Sequence, residues 1–476
     1  MADDFRNTRV VALIDMDCFY CQVEQREKPE LWGCPVAVVQ YNQYQGGVII
    51  ALSYEARAYG VRRGMRGEQG RELCPNLCLC RVPISKFAEK AELSKYREAS
   101  AEVFDVLCNF DERILVERAS VDEAYIDLTA MVDNLLKEND FAEKFRSSSS
   151  TLPTTHLANG IDKLIEAYDR ESNLNMWLRN ECQKNLTQVL VSFIVSDFIK
   201  YQRTQFHCSA GIGTNKILAK LVCSRHKPKE QTIITSDYVS KLFETTCITD
   251  VRGLGGKLGH QLMDKYNIKF MNELKEVDKA DLEENFPHLQ DVVLGIDDDP
   301  VRPRDKQLSI AVSRNFSGKN ALSTVADVDC WLRKLVNALS ARLASDQIKN
   351  KRTAQSISCG CKQKDHATRT TALRSYDKES IFSTCRKLLR TFNKSNDEKW
   401  NLRSPPIRNI YVSAHHFKAG VEKPNRNITD WLKNATSVTN ESAENSENTL
   451  EIDEDTAFDI SATSDSSASF IFEDEV

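Results

Sequence analysis

Residues 119–128 read ASVDEAYIDL, with two carboxylates, Asp122 and Glu123, side by side in a run that otherwise has strand character. Taking a carboxylate out of water without a partner is costly, and adjacent carboxylates also repel each other. A second stretch supplies a counterpart. Residues 13–20 read LIDMDCFY, so Asp15 stands at the end of the apolar run Arg9–Ile14, RVVALI. Short uninterrupted apolar runs of this kind predict strands buried on both faces. Carboxylates at two strand ends point to a divalent-metal centre, because Mg²⁺ takes hard oxygen ligands, usually a few carboxylates plus substrate phosphates. Two such ions about 3.5–4 Å apart stabilise the attacking and leaving oxygens of phosphoryl transfer. They would also relieve the repulsion within ASVDEAYIDL. One geometric condition applies. Adjacent strand residues point to opposite faces, so Asp122 and Glu123 reach one metal pair only at a turn, a bulge or a strongly twisted strand end. The alternative is an exposed Glu123 beside an Asp122 that caps a turn, and spacing alone leaves both open.

The chain has 476 residues and 41% hydrophobic content, which predicts two to four domains. It contains no run of about 18 uncharged apolar residues and no signal-peptide pattern in its first twenty, so a soluble intracellular protein is expected. The 15 cysteines are odd in number and follow no framework. Cys18/Cys21, Cys74/Cys78/Cys80 and Cys359/Cys361 each lack a second pair at zinc-finger spacing, so buried thiols are expected. The net charge of -5 hides an asymmetry: from Ala419 to Val476 there are 14 acidic and 3 basic residues, leaving the remainder at +6. A mildly basic body with an acidic tail suits a nucleic-acid partner.

Further apolar runs predict strands at Pro35–Gln40, Gly47–Leu52 and within Ile114–Leu128, with a helix over Ser85–Phe110. Residues 131–185 are polar, carry SSSST at 147–151 and lack a period, which predicts a surface insertion with some helix. An amphipathic helix follows over Leu186–Arg203, then a strand over His207–Gly211 and a helix from Asn215. Glycines cluster in VRGLGGKLGHQL at 251–262. From Leu308 the order is strand, helix, strand, strand, helix, strand, the βαββαβ pattern of ferredoxin-like domains. The basic, proline-containing segment 301–307 reads as a tether to it. Beyond Phe417, low hydrophobicity and negative charge predict disorder.

No GxxxxGK[ST] loop is present, so a P-loop does not hold phosphates. The stretch SYEARAYGVRR, residues 53–63, offers Tyr54, Arg57 and Arg63 instead, and arginine presents a rigid donor fork to phosphate. A solvated basic helix face is the plainer reading of the same residues.

Taken together, VVALIDMDCFYCQVEQR (10–26), AVVQYNQYQGGVIIALSYEARAYGV (37–61), KYREAS (95–100), ERASVDEAYIDLT (117–129), CSAGIGTNKILAKLVCSRHKP (208–228) and RGLGGKLG (252–259) resemble the Y family of translesion DNA polymerases, most closely its eta branch. They run in family order over about residues 8–417. The resemblance implies an α+β right-hand polymerase. Its palm would take residues 1–18 and 89–240, with the insertion at about 131–185, and its fingers 19–88. A helical thumb with a helix-hairpin-helix would take 241–303, a ferredoxin-like little finger 308–418 and an acidic disordered tail 419–476.

The resemblance also implies roles. Asp15, Asp122 and Glu123 would be catalytic metal carboxylates, with the Met16 carbonyl as a further ligand, for two Mg²⁺ ions with Mn²⁺ as a substitute. Tyr54, Arg57 and Lys227 would hold the incoming triphosphate, with backbone N–H groups of Cys18 and Phe19. Tyr20 would be the steric gate under the sugar. Gln40, Ile50 and Arg63 would touch the templating or incoming base. Gly253, Gly255 and Gly256 of the thumb would meet DNA phosphates, and Gly46, Gly47 and Gly64 would leave an open pocket roof. Primed template DNA and dNTP would be the ligands, the nucleus the location, and a sliding clamp and other translesion factors the partners. No clamp-binding, ubiquitin-binding or nuclear-localisation pattern is legible, and no membrane is implied.

Three departures stand out. Arg66 replaces an aromatic of the eta pattern, the 131–185 insertion matches poorly, and the eta branch's C-terminal ubiquitin-binding zinc finger, nuclear-localisation signal and clamp-binding peptide are not found. Phe470, Ile471 and Phe472 beside acids read as an unstructured end, with a short partner motif as the alternative. Competing readings are another Y-family branch, a nucleotide cyclase, whose palm also pairs strand-end carboxylates, and a catalytically silent DNA-binding scaffold. The glycine hairpin and the 308–417 domain argue against the cyclase, and the intact carboxylate set argues against the scaffold.

Overall fold

The structure, a computed structural model, describes residues 9–40, 47–84, 91–136, 154–158, 204–287, 289–316, 318–392 and 406–421. The expected helix at 186–203, most of the 131–185 insertion, Gly46 and the acidic tail with Phe470–Phe472 lie outside the described residues. Thirteen strands run in chain order among those described: β1 Val11–Met16, β2 Val36–Gln40, β3 Val48–Leu52, β4 Cys78–Val82, β5 Leu115–Arg118, β6 Glu123–Asp127, β7 Thr155–Ala158, β8 Cys208–Gly213, β9 Gln231–Ile234, β10 Ser309–Asn315, β11 Arg352–Lys362, β12 His366–Ala372 and β13 Asn409–Ala419. The chain divides into two compact units. Among the described residues, one is built from those up to Arg81 and from Lys95–Lys306, the other from Val82–Ser94 and those from Gln307 to Val421.

The first unit centres on a six-stranded sheet in the order β5-β6-β1-β8-β9-β7. β1 is central and almost wholly buried, as VALIDM requires. It pairs antiparallel with β6 on one side and β8 on the other. The helix Lys216–Cys223 packs on this sheet, and Asn215 caps it by accepting from the Leu218 N–H at 3.0 Å. The approach is so close that a Cβ on Gly211 would lie 2.0 Å from the Ala219 carbonyl oxygen. A second sheet, β3-β2-β4, encloses its own core of Val39, Ile49, Val61 and Leu77. A third core joins Leu254, Leu262, Met271 and Leu274.

Two sequence expectations change here. Residues 155–158 of the supposed surface insertion form β7, parallel to β9, with Thr155, Leu157 and Ala158 buried. Four residues, THLA, are too few to show a period, so their burial was invisible. Nor is 301–307 a free tether. Arg304 accepts at its carbonyl from the Arg118 N–H at 2.8 Å and donates its own N–H to the Val116 carbonyl at 2.9 Å, extending the sheet beyond β5. Val301 is buried beneath it.

The second unit keeps the expected chain order: β10, helix Val325–Asn350, β11, β12, helix Lys378–Arg390, β13. Its sheet order, β10-β13-β11-β12, differs from the ferredoxin-like one. There the first and third strands take the centre; here the second and fourth do. The composition explains this. β11 and β13 are the two longest strands, at 11 residues each, and bury Ile357, Cys359, Ile410 and Val412. β12 is HATRTTA, mostly exposed and suited to an edge.

Candidate active site

The end of β1 brings the sequence-selected carboxylates together. Asp15 is the direct antiparallel partner of Glu123, so both side chains rise from one face of the sheet. Asp122 lies just before β6, in the turn from β5, and is therefore free of strand alternation. The turn is one of the arrangements that the sequence required for both residues to approach a common point. Its conformation is held by Ser120, whose Oγ accepts from the N–H groups of Asp122 at 3.1 Å and Glu123 at 3.0 Å and donates to the Asp122 carboxylate. Two residues not selected from sequence brace the turn from behind. Buried Ser100 donates to the Val121 carbonyl, and Arg118 donates to Ser100 Oγ. The Met16 N–H donates to the Asp122 carbonyl at 2.9 Å, which fixes Met16 beside the turn.

The electrostatics are those of crowded anions. Burial pushes the Asp15 carboxyl up to about 7, against the pull of Lys227 and with added repulsion from Glu123 and Asp122. Burial likewise raises Asp122, and the Glu123 charge adds to it. Two ammonium groups answer these charges. Lys227 Nζ is 2.7 Å from Asp15 Oδ1, and Lys220 Nζ is 2.6 Å from Glu123 Oε1. Burial works against the Lys227 charge, but the Asp15 carboxylate, with Cys223 and Asp17 adding to it, holds the lysine above its ordinary pKa.

Tyr54 and Arg57 share the helix Tyr54–Ala58, with the guanidinium 4.8 Å from the Tyr54 ring centre. The Tyr54 hydroxyl donates to Asp17, linking this helix to the end of β1. Cys18, at φ 38°, is the N-cap of the helix Phe19–Glu27, so the backbone of Cys18 and Phe19 forms that helix's start. Helix N-termini favour anions. Burial pushes the Cys18 thiol up to about 12, with the Asp17 charge adding to it. Tyr20, on the same helix, stacks on Tyr96 with ring centres 4.1 Å apart. Tyr96, fully buried, donates to the carboxylate of Glu24, which Lys95 also meets at 2.8 Å.

The base-contact candidates sit on the smaller sheet. Gln40 ends β2, exposed. Between Val38↔Ala51 and Val39↔Ile49 the register shifts, which leaves Ile50 as the extra residue of a bulge. Bulges re-aim side chains. Arg63 and Arg66 are exposed, and Gly64 donates its N–H to the Ile49 carbonyl at 3.0 Å with open space where a Cβ would stand. Gly47 accepts at its carbonyl from the Gly67 N–H. The remaining candidates lie apart. Gly253 and Gly255 are exposed in the hairpin before the helix Lys257–Tyr266, and Gly256 is its N-cap.

Comparisons with known proteins give the family of the chain. Residues 14–224 match the impB/mucB/samB family, 307–429 match that family's C-terminal domain, and 246–291 match the helix-hairpin-helix motif of DNA polymerase eta and Rev1. The chain belongs to this family, which is the Y family. It is 36% identical over 413 residues to DNA polymerase eta of Drosophila melanogaster, covering 81% of this chain and 46% of that protein. It is 36% identical over 383 residues to DNA polymerase eta of Arabidopsis thaliana, covering 79% and 54%. Mouse DNA polymerase iota is 28% identical over 348 residues, covering 71% and 43%. The chain thus spans about half the length of the eta relatives.

Members of this family generally use divalent metal ions. Asp15, Asp122 and Glu123 suit such an ion in kind: all three offer hard oxygen, and burial with the neighbouring negative charges raises Asp15 and Asp122, which a cation would relieve. In this structure Lys227, Lys220 and Ser120 occupy those oxygens, and among the described residues no three His, Cys, Asp or Glu side chains converge on one point.

Proposed function

We propose that the chain is a template-directed DNA polymerase of the eta type, joining a dNTP to a primer 3′-hydroxyl. The observation that carries this reading is the Asp15–Glu123 cross-strand pair with Asp122 in the adjoining turn, faced by Lys227 and by the Tyr54–Arg57 helix. Two Mg²⁺ ions held by Asp15, Asp122, Glu123 and the Met16 carbonyl, with Mn²⁺ as a substitute, would lower the pKa of the attacking hydroxyl and neutralise the leaving pyrophosphate. The protein's own groups do the rest. Lys227, Tyr54 and Arg57 bind the triphosphate, with the start of the helix Phe19–Glu27 offering N–H groups to its oxygens. Tyr20, braced by Tyr96, lies under the sugar and excludes a 2′-hydroxyl. Gln40, Ile50 and Arg63 meet the base pair.

In this reading the six-stranded sheet is the palm, the β3-β2-β4 sheet belongs to the fingers, the Gly253–Gly256 hairpin is the thumb's grip on DNA phosphates, and the second unit is the little finger. The open space at Gly64 supports a roof that admits two linked template bases, and hence bypass of cis-syn thymine dimers with low fidelity on intact DNA. The test is running-start primer extension with Mg²⁺ on matched templates with and without a dimer. Extension through both supports the eta reading. Efficient copying of intact DNA with arrest at the dimer keeps the polymerase and removes the eta function, and no extension on either removes the polymerase.

A further inference from the structure

Close to the metal set lies a buried carboxylate that the set does not use. Asp17 is 2% exposed. A charge at that depth persists only where donors surround it, and they come from distant parts of the chain. Ser209 Oγ on β8 lies 2.8 and 3.0 Å from the two oxygens. The Lys229 backbone N–H donates to Oδ2 at 2.8 Å. The Tyr54 hydroxyl donates to Oδ1 at 3.2 Å, and Lys227 Nζ stands 3.8 Å from the same atom. Lys229 has φ 62°, a left-handed conformation that costs an ordinary residue free energy. Its N–H points at Asp17 in that conformation.

We infer that Asp17 is a positioning residue for the triphosphate subsite: it clips the Lys227–Lys229 loop to the end of β1 and β8, so that the Lys227 ammonium faces Asp15 and the incoming phosphates. The inference rests on the polymerase reading above. Two contacts do the clipping. Lys229 N–H and Ser209 Oγ both meet Asp17 directly, and neither donor is needed by substrate. The Lys227 side chain then projects from a fixed backbone toward Asp15, 2.7 Å away. Asp17 itself does not touch the reacting atoms. Its replacement by Asn keeps the shape but removes the charge and presents an amide NH₂ where two donors now point, so the loop loses its register.

The test is a double-mutant cycle in primer extension with Asp17→Asn, Lys227→Ala and the double variant, reading kcat and dNTP KM separately alongside primer-template affinity and melting temperature. A residue acting through Lys227 gives a dNTP KM raised roughly tenfold, kcat within about twofold, unchanged DNA affinity, and a double variant no worse than Lys227→Ala, the signature of coupled sites. Multiplying effects, or a fall in kcat at unchanged KM, would overturn it. So would a lowered melting temperature with a matching loss of DNA affinity. Ser209→Ala serves if Asp17→Asn fails to fold. It removes the β8 anchor away from substrate, and its KM rise must vanish on the Lys227→Ala background; an additive rise counts against the inference. Wild-type extension is measured first. If it is absent, the polymerase reading falls with this one; if it is present and the cycle is additive, only the role of Asp17 falls.

Discussion

Asp15 and Glu123 stand directly opposite each other across the antiparallel pair β1 and β6, each capped by a lysine ammonium, Lys227 and Lys220. Opposed like charges destabilise a strand pair, so the sheet keeps them at a cost met by those lysines and, in the proposed enzyme, by cations. This relationship makes Lys227 more than a triphosphate contact. Lys227→Ala is expected to raise the dNTP KM by roughly ten- to hundredfold, the range for one charge-assisted hydrogen bond. Steady-state kinetics on a primed template check it, and an unchanged KM would place Lys227 outside the subsite.

Tyr20→Ala is expected to admit ribonucleotides. The ring is held against Tyr96 at 4.1 Å, so it cannot swing freely from the place proposed for it under the sugar. The ratio of rNTP to dNTP insertion efficiency should rise with only a modest drop in melting temperature. A large drop with an unchanged ratio would make Tyr20 a core aromatic and nothing more.

Lys216→Ala tests the scaffold rather than the chemistry. Lys216 is fully buried, with Glu117 at 2.6 Å and Asp299 at 3.0 Å. Removing it leaves buried Glu117 with the Arg302 N–H at 2.7 Å and the Arg304 guanidinium at 3.8 Å but without its closest ammonium, and breaking a buried pair in this way costs up to about 3–5 kcal/mol. Urea unfolding measures this. A loss within experimental scatter would mean that the network is solvated.

Gly259→Ala is expected to weaken DNA binding together with stability. A Cβ there would lie 1.9 Å from the Leu254 carbonyl oxygen, so the hairpin Gly253–Gly256 and its helix must separate. Overpacking of this kind costs about 1–3 kcal/mol. Primer-template affinity and thermal unfolding, measured together, should both fall. Unchanged affinity would remove the hairpin from the DNA interface.

The sequence made the carboxylates legible because strand-end acids have few uses, and it required a turn, a bulge or a twisted strand end at Asp122 and Glu123, of which the structure has the turn. It did not reveal Asp17. In LIDMDCFY that residue is one more acid, and its importance lies in donors 192 and 212 residues away. Ser100 was likewise hidden, since a small hydroxyl in KYREAS carries no pattern of its own. The βαββαβ order was readable from apolar periods, but sheet order depends on which strands bury most surface, and that placed β11 and β13 at the centre. The edge strand β7 and the paired Arg304 escaped for the same reason: both are short and polar at their margins, and only pairing partners define them.

Nucleotidyl transfer is proposed to rest on Asp15, Asp122 and Glu123. Single-turnover primer extension with Mg²⁺, wild type beside Asp122→Ala and Glu123→Ala at matched primer-template occupancy, tests it most directly. Extension by the wild type and none by either variant is expected, with DNA affinity kept, because each change removes charge from the site and leaves the core intact. Extension by a variant at near the wild-type rate would contradict the assignment of that residue.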